Sequence, residues 1–390
     1  MNSFLKRIPF ASLSFQYAPQ RDPASGSHYA KDSCLRTVVP LKLCLYSSAH
    51  AFGHTTRLLA VAAQIRSREP QARLVLNSHV PDWLIDVHLG SAIERRSVRL
   101  DVGLVQSDSF TTDTAATIER YHLLEQCADR LVASERDWLA HEKFDAVLAD
   151  IPPLAGRLAD TFRPVWGMSN FGWDFIYRNL EEAFRPLAER SAALYRHYSG
   201  LFELPFAEPM TAFDPIVPVP LVVNEARFDR DAVRRALGLS ARQPMALMTF
   251  GGLGLGGFPA ARVVEHPDWQ FVVTATAPEN LPNVTTVEPG AWRLIELLTA
   301  ADLALIKPGY STVAECCALG LPVVSLDRPG FAEAELLIAA LCRHLDCRIL
   351  SNTDFFEQPW DFLDGSLGRR PPLAAPGAGI IAEAILSGVR

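Results

Sequence analysis

Short apolar runs alternate along the chain with segments in which apolar residues recur at helical spacing. In the first half, the runs at residues 41–47, 73–77, 144–150 and 165–169 have the length and composition of buried strands. Between these runs, apolar residues recur every three or four positions. Alternation of buried strands and helices predicts a parallel sheet that is covered by helices on both faces.

The second half of the chain repeats this pattern. Strand-like runs lie at residues 244–250, 269–274, 302–306 and 323–326, and helical spacing separates them. A proline-rich segment at residues 205–221 lies between the two halves. We therefore expect an α/β fold with two Rossmann-like, doubly wound domains that face a central cleft.

The expected domain bounds follow from the same pattern. The first domain covers residues 40–215, the second covers residues 216–375, and a closing helix occupies residues 376–390. Residues 1–39 are rich in serine, proline and arginine and lack a sustained periodicity. We expect this segment to be a disordered extension, with a targeting peptide as the alternative.

Composition and charge exclude several classes of function. The 390 residues are 49% hydrophobic and carry a formal charge of −7, which argues against nucleic acid as the main partner. No apolar run approaches the ~20 residues of a membrane-spanning helix, although peripheral membrane contact stays open. The seven cysteines lack metal-site spacing, so we expect free thiols, no bound metal and a cytoplasmic location.

The stretch at residues 306–325 predicts a strand, a proline–glycine turn at Gly309, a helix and the next strand. Ser311 or Thr312 is expected to cap the helix, with Glu315 about one turn further on. Such a helix N-terminus can bind phosphate through its free amides, and a carboxylate can accept hydrogen bonds from sugar hydroxyls. Taken alone, the stretch also fits an ordinary strand–helix–strand unit.

Charged residues flank this stretch. Lys307 is a candidate for offsetting phosphate charge, and the alternative is a solvated surface lysine. Glu333 or Glu335 is a candidate for facing a sugar, and the alternative is the charged side of an amphipathic helix.

Two histidines lie between the first strand and the helix that follows it. Because a histidine can titrate near neutral pH, His50 or His54 is a candidate for removing a proton from a hydroxyl group. Asp150 ends a neighbouring strand and is a candidate for orienting one of them. The alternatives are a helix cap or a structural role for the histidines, and a strand-end turn residue for Asp150.

Glycines follow the strand at residues 244–250. The loop begins at Gly251, and Gly252, Gly254 and Gly257 formally fit a dinucleotide-binding fingerprint. The next strand does not end in the acidic residue that such a site requires, so the loop is interpreted as an approach to pyrophosphate.

The segment from Ser169 to Tyr177 is rich in aromatic residues and is expected to form a loop after a strand. Asn170, Trp173 and Asp174 in this segment are the candidates for contact with a sugar or an apolar acceptor. Core packing of the aromatic residues is the alternative.

Together these motifs resemble those of a known enzyme class. His50-Ala-Phe-Gly-His-Thr-Thr-Arg57, Ser169-Asn-Phe-Gly-Trp-Asp-Phe-Ile-Tyr177, Phe250-Gly-Gly and Lys307-x-Gly-Tyr-Ser-Thr-Val-x-Glu315 resemble the glycosyltransferase-like domain that precedes the kinase of plant arabinokinases. The last motif is also similar to that of the peptidoglycan N-acetylglucosaminyltransferases. The resemblance therefore implies a glycosyltransferase of the GT-B fold.

The resemblance implies roles for individual residues. It makes His54 the base near the acceptor, places Glu315 on the donor ribose and Glu333 near the donor sugar, and puts the nucleobase near residues 289–294. The first domain then binds the acceptor and the second the donor. The full set of expected donor contacts is Gly251, Gly252, Gly254, Lys307, Gly309, Tyr310, Ser311, Thr312, Glu315 and Glu333.

The resemblance also implies a reaction. We expect transfer of a hexosyl or pentosyl unit from a nucleotide-diphosphate sugar, with UDP favoured, to a small-molecule or lipid-linked hydroxyl, with neither a metal nor another cofactor. Retaining relatives carry a second glutamate eight residues after the first, whereas Val323 lies eight residues after Glu315. Inversion is therefore expected. The alternatives are a nucleotide-sugar epimerase of the same fold and a catalytically degenerate binding protein.

Overall fold

The computed structural model describes residues 40–106, 110–162, 164–251, 257–274, 277–278, 280–365 and 367–389. These residues belong to one compact unit that begins at Pro40. The expected disordered extension at residues 1–39 lies outside the described residues, and so do Gly252 and Gly254.

The first half of the chain forms a parallel sheet of seven strands. Its elements, in chain order, are β1 (Lys42–Ser47), α1 (Gly53–Arg68), β2 (Arg73–Asn77), α2 (Asp82–His88), β3 (Glu94–Arg96), α3 (Thr114–Glu142), β4 (Ala146–Asp150), β5 (Val165–Ser169), α4 (Trp173–Arg178), α5 (Arg185–Tyr195), β6 (Gly200–Glu203) and β7 (Ile216–Pro218). The strand order is β3-β2-β1-β4-β5-β6-β7.

The second half forms a parallel sheet of six strands. Its elements are α6 (Arg230–Ala236), β8 (Met245–Thr249), α7 (Ala260–Val264), β9 (Gln270–Val273), β10 (Val284–Thr286), α8 (Leu294–Ala300), β11 (Leu303–Ile306), α9 (Tyr310–Leu319), β12 (Val323–Leu326), α10 (Ala332–His344), β13 (Cys347–Leu350), α11 (Asn352–Glu357) and α12 (Gly377–Val389). The strand order is β10-β9-β8-β11-β12-β13.

Both sheets are doubly wound, which confirms the expected fold class. In each sheet the first three strands are added in one direction, and the next strand pairs on the other side of the first one. β1 therefore lies beside β4, and β8 lies beside β11. These strands are fully or almost fully buried, which explains their near-continuous apolar sequence. A crevice forms at the carboxyl ends of such central strand pairs, and ligands bind there in open parallel sheets.

The predicted strands agree with the structure most closely where an apolar run is flanked by polar residues or proline. The predicted strands at residues 73–77 and 165–169 match β2 and β5 residue for residue. The expectation of a loop in the aromatic segment is partly wrong, because residues 173–178 form α4 after an N-cap at Gly172.

The predicted cap of the helix after Lys307 is also wrong. The N-cap of α9 is Gly309 in an extended conformation, with no side-chain capping bond, and Ser311 lies inside the first turn. The predicted end of this helix at Gly320 is confirmed, since Gly320 has the left-handed backbone conformation typical of a helix C-terminus.

The two halves are joined at more than one place. Strand β7 belongs to the first sheet, so that sheet extends to Pro218, beyond the expected end of the first domain at residue 215. Helix α12 returns from the second half and packs against α1. A backbone bridge between Val222 and Pro376 ties the two crossing segments together.

Candidate functional site

A cavity of about 990 Å³ lies between the carboxyl ends of the two sheets. Residues from α1, such as His54 and Arg57, line one side. Residues that follow β11, such as Lys307, Ser311 and Glu315, line the other. The structure therefore brings the candidates from the two halves of the chain to one shared cavity, at the position where open parallel sheets bind their ligands.

His54 and Asp150 form a buried pair at the first sheet. Ser47 at the end of β1 lies in register with Asp150 at the end of β4, so the loop after β1 passes close to this carboxylate. His54 Nδ1 lies 2.8 Å from Asp150 Oδ1. Arg57 Nη2 lies 3.0 Å from the same nitrogen, but the contact with Asp150 is the shorter one, and it favours the tautomer that carries its proton on Nδ1 and has Nε2 as the basic nitrogen.

Arg57 shares the same carboxylate. Its Nη2 donates to Asp150 Oδ1 at 2.6 Å, and its Nε also bonds to Asp150. Nη1 donates to Asn170 Oδ1 at 2.8 Å, and Nη2 also reaches Ser169 Oγ at 3.0 Å. Burial alone would lower the pKa of Arg57, but the Asp150 charge more than offsets this effect and the pKa is raised. Arg57 therefore fixes the orientation of the carboxylate that holds His54.

His50 lies in a different environment from His54. It is buried against the edge of the Trp173 ring, and its Nδ1 accepts a long hydrogen bond of 3.4 Å from the Leu104 amide. Burial lowers the pKa of His50 well below its ordinary value, and the positive charges of Arg328 and Lys307 act in the same direction. His50 is therefore neutral at physiological pH and poorly suited to accepting a proton.

The N-terminus of α9 touches the N-terminus of α1 across the cavity. Ser311 Oγ donates to the Gly53 carbonyl oxygen at 3.1 Å and accepts from Thr56 Oγ1 at 3.3 Å. A side chain at residue 53 would approach Ser311 Oγ to 3.3 Å, so glycine permits this close approach. The free amides at the start of α9 therefore lie next to the turn of helix that carries His54.

Lys307 and the first glycine of the loop after β8 lie side by side. Gly251 has a φ of +76°, and a side chain there would meet Lys307 Cε at 2.8 Å. Both residues line the cavity close to Gly309 and Tyr310, which carry the start of α9. Tyr310 itself is buried, and its ring lies 5.0 Å from the Arg57 guanidinium. Thr312 lines the cavity as well, so every described member of the expected donor set reaches it.

Glu315 is a buried carboxyl in the cavity wall. Burial raises its pKa to about 8, and a hydrogen bond from Asn224 and the nearby Arg293 oppose this effect only in part. Its Oε2 has no hydrogen-bond partner among the described residues. A buried polar atom without a partner is costly, so this oxygen is available to a ligand that donates a hydrogen bond.

Glu333 lies in the first turn of helix α10 and reaches the first half of the chain. Asn170 Nδ2 donates to Glu333 Oε1 at 2.9 Å, while Asn170 Oδ1 accepts from Arg57. A continuous set of hydrogen bonds therefore runs from Glu333 through Asn170 and Arg57 to Asp150 and His54. Glu333 also lines the cavity.

The residues predicted for the acceptor side are buried behind the cavity wall. Trp173 donates from its indole nitrogen to Ser48 Oγ at 3.3 Å, and Asp174 pairs with Arg178 at 2.9 Å. Asn170, Trp173 and Asp174 are not among the residues that line the cavity, whereas Phe171 is. Their contact with an acceptor stays a prediction, and the contacts of Trp173 with Ser48 and His50 support the loop that carries the histidines.

The segment implied for the nucleobase also lies at the cavity. Pro289, Gly290, Trp292 and Arg293 line it, and a side chain at Gly290 would come within 3.1 Å of Trp83 Cβ in the opposite half. Among the described residues, no group of three or more histidine, cysteine or acidic side chains is arranged to hold a metal ion. None of the described helices combines the length and apolar composition that crossing a membrane requires.

Known proteins share this fold. A UDP-glucosyltransferase from Polygonum tinctorium superposes with a TM-score of 0.57 at 15% identity, covering 90% of this chain and 94% of the other. MurG of Acinetobacter baumannii gives a TM-score of 0.51 at 14% identity, covering 89% and 100%. The chain has the GT-B fold. Medicago truncatula UGT71G1, solved in complex with UDP-glucose, gives a TM-score of 0.52 at 13% identity, covering 80% and 85%.

Sequence similarity points to one further relative. The L-arabinokinase of Arabidopsis thaliana is 31% identical over 310 residues, which is 76% of this chain and 29% of the relative. The chain therefore spans less than a third of that protein's length. No known family profile matches the sequence. The resemblance that the motifs suggested, to GT-B glycosyltransferases and to arabinokinase, is confirmed.

Sequence reasoning assigned no role to three residues at the site. Arg57 lies three residues after His54 and faces the same side of α1, so helical spacing next to buried apolar residues was a usable signal. Asn224 and Arg328 lie in connecting segments without periodicity. Only the folded arrangement brings Arg328 to the cavity and Asn224 to Glu315.

Proposed function

We propose that the protein transfers a sugar from a nucleotide-diphosphate sugar to a hydroxyl group of an acceptor, with inversion at the anomeric carbon. The observation that carries the proposal is the contact between the start of α9 and the start of α1, since it places the free amides near Ser311 beside the buried His54–Asp150 pair. One cavity thus contains amides that can bind a leaving diphosphate and a histidine that can act as a general base.

In the proposed reaction, His54 Nε2 takes the proton of the acceptor hydroxyl as its oxygen attacks the anomeric carbon. The new carbon–oxygen bond forms on the face opposite the leaving diphosphate, whose bond to the same carbon breaks. The proton stays on the imidazole, where the Asp150 carboxylate stabilises the positive charge. Arg57 holds that carboxylate in place through two hydrogen bonds.

The donor is proposed to lie along the second half of the chain. The amides at the start of α9, together with the Lys307 ammonium, offset the charge that develops on the diphosphate. This assignment gives the chain its own means of neutralising the leaving group and predicts turnover in the presence of a chelator. Glu315 accepts hydrogen bonds from the ribose hydroxyls, and its unpartnered oxygen supports this role.

UDP is the proposed nucleotide. A thermal-shift series with UDP-, GDP-, ADP- and dTDP-sugars tests this choice, because a ligand that binds only the folded state raises the apparent melting temperature. We expect the largest increase with a UDP-sugar. Equal responses to all four would contradict the choice of nucleotide.

The His54→Ala variant tests the base. Loss of a general base lowers turnover by about 10²- to 10⁴-fold, and the donor, held by the other half of the chain, should bind as before. The measurement is UDP release from the preferred donor with a panel of hydroxylated acceptors, alongside donor affinity from calorimetry. His141→Ala, at an exposed residue of α3, is the matched control.

Three outcomes separate the alternatives. Conversion of the donor sugar or release of the nucleotide without any acceptor identifies an epimerase of the same fold. Donor binding without turnover in any condition identifies a binding protein. Unchanged transfer by the His54→Ala variant, with donor still bound, contradicts the assignment of the base.

A further inference from the structure

Arg328 is a buried arginine whose position differs from that of the other buried arginines. It follows β12, is only 6% exposed and lines the cavity. Its guanidinium stacks on the Phe331 ring at 3.8 Å from the ring centre. Its Nη2 donates a long hydrogen bond, of 3.4 Å, to Gln106 Oε1 in the first half.

The other buried arginines are all paired with carboxylates. Arg57 bonds to Asp150, Arg234 bonds to Asp302 at 2.6 Å and Arg293 bonds to Glu296. Among the described residues, no carboxylate lies within ion-pair distance of Arg328. Glu333 acts on Arg328 only through its charge, and Asn170 already holds the Glu333 carboxylate.

A buried guanidinium such as that of Arg328, with which no carboxylate of the described residues pairs, is unfavourable in the ligand-free protein. Its five N–H donors form a planar fork that matches the oxygen atoms of a carboxylate or a phosphate, and burial makes the lack of a partner costly. Such an arginine is expected where a bound ligand supplies the missing hydrogen-bond acceptors. Since Arg328 lines the cavity, that ligand group must be located in the cavity.

We propose that Arg328 binds a carboxylate or phosphate group of a substrate, distinct from the diphosphate of the donor. The inference rests on the proposed function and adds a substrate class to it. The anionic group belongs either to the transferred sugar, as in a uronic acid, or to the acceptor.

The surroundings of Arg328 separate it from the diphosphate position. Phe331, on which it stacks, lies against His50, with ring centres 6.0 Å apart and an interplanar angle of 16°. Lys307 lies instead against Gly251, at the loop that follows β8. The two cations therefore have different neighbours in the cavity, with Arg328 beside Phe331 and Lys307 beside Gly251.

Calorimetry with matched ligand pairs tests the proposal on the full chain. UDP-glucose and UDP-glucuronate form the donor pair. Glucose and glucose 6-phosphate, titrated into the UDP-loaded protein, form the acceptor pair. We expect wild type to bind the anionic member of one pair about tenfold to hundredfold more tightly than its neutral partner, because charge-assisted forked hydrogen bonds have this strength.

Variants of Arg328 test whether this residue causes the preference for the anionic ligand. In the ligand pair for which wild type prefers the anionic member, Arg328→Gln should bind both members equally. It should bind UDP alone as wild type does. Arg328→Lys keeps the charge without the fork and should retain part of the preference. Arg348→Gln removes an exposed cation of β13 that lies outside the cavity, and it should behave as wild type.

Melting temperatures test whether Arg328 has only a structural role. Because none of the described carboxylates pairs with this buried cation, its removal in Arg328→Gln should leave the ligand-free melting temperature unchanged or raise it. A large decrease, together with equal binding of both ligand pairs by wild type, would show that Arg328 only joins the two halves through Gln106 and overturns the proposal.

The remaining outcomes are also decisive. Equal binding of both pairs by wild type, with UDP bound normally, overturns this inference and leaves the proposed function standing. Loss of UDP affinity in Arg328→Gln makes Arg328 a diphosphate contact and overturns the inference. No binding of any nucleotide by wild type overturns the proposed function and this inference with it.

Discussion

Glu315 shows how burial changes the chemistry of a single residue. A carboxyl group ordinarily loses its proton well below neutral pH, but burial in the cavity wall raises the pKa of Glu315 to about 8. At neutral pH the ligand-free protein therefore holds this group mostly protonated. Ribose hydroxyls would donate to the ionised form and favour loss of that proton, so the same burial prepares the group for a ligand.

The pKa of Glu315 predicts a pH-dependent stability difference. Between its ordinary value of 4.5 and about 8, the folded protein keeps a proton that the unfolded chain has lost. Stability from this group therefore falls as pH rises through that window, by up to about 5 kcal/mol. Glu315→Gln does not titrate, so its free energy of unfolding should increase relative to wild type between pH 5 and pH 9.

Urea unfolding at pH 5, 7 and 9 measures this difference. Glu335→Gln, at an exposed position of the same half, is the control and should follow the wild-type pH profile. Parallel profiles for Glu315→Gln and wild type would show that the carboxyl ionises in the folded protein as it does in the unfolded chain.

At the scale of elements, the sequence predicted those parts of the fold that a local signal defines. Buried strands such as β2 and β5 were found because a short apolar run bounded by polar residues or proline is typical of a strand in a covered parallel sheet. Strands β6, β7 and β13 have three or four residues each and were not identified. Their pairing depends on neighbouring strands rather than on their own sequence.

The start of α9 shows why the candidate site was only partly predictable. Ser311 has the residue type of a helix cap, and the local rule placed it there. In the folded protein its hydroxyl donates to Gly53 instead, a partner 258 residues away in sequence. A tertiary contact overrides the local preference, and the same contact forms the site. Thus the helix and its glycine end could be predicted, but its partner across the cavity could not.

The end of α9 provides a prediction about the element itself. Gly320 has a φ of +59°, and a side chain there would meet the Arg370 carbonyl oxygen at 1.9 Å. Gly320→Ala should therefore combine backbone strain with a steric clash and lower the free energy of unfolding by more than about 2 kcal/mol.

The matched control separates the two causes. Gly365 has a φ of +87° with no atom within 4 Å of the added carbon, so Gly365→Ala tests strain alone. A loss of about 1 kcal/mol is expected there. Urea unfolding measures both variants, and equal losses would show that the clash with Arg370 is relieved by movement of that segment.

At the scale of the whole molecule, polar contacts join two halves that each have their own sheet. The Ser311–Gly53 contact lies at the cavity, and the Asn170–Glu333 contact joins a residue behind the cavity wall to one that lines it. Helix α12 adds a packed contact with α1. The two-domain arrangement could be predicted from the alternating pattern, but these contacts could not, because each pairs residues that are far apart along the chain.

The Asn170–Glu333 hydrogen bond allows the coupling between the halves to be measured. Asn170→Asp replaces the amide that donates to Glu333 with a second carboxylate, so two negative charges would face each other between the halves. We expect the halves to separate, with a larger radius of gyration in small-angle scattering. The free energy of unfolding should fall by about 1–3 kcal/mol, because a buried hydrogen bond is lost and a repulsion is gained.

A second substitution reverses the polarity of this bond. Glu333→Gln in the Asn170→Asp background supplies an amide that can donate to the new carboxylate, so the double variant should regain most of the lost stability and the wild-type radius. Glu333→Gln alone should change little, because the Asn170 amide can still donate to the glutamine oxygen. Strictly additive effects in this double-mutant cycle would mean that the contact does not hold the halves together.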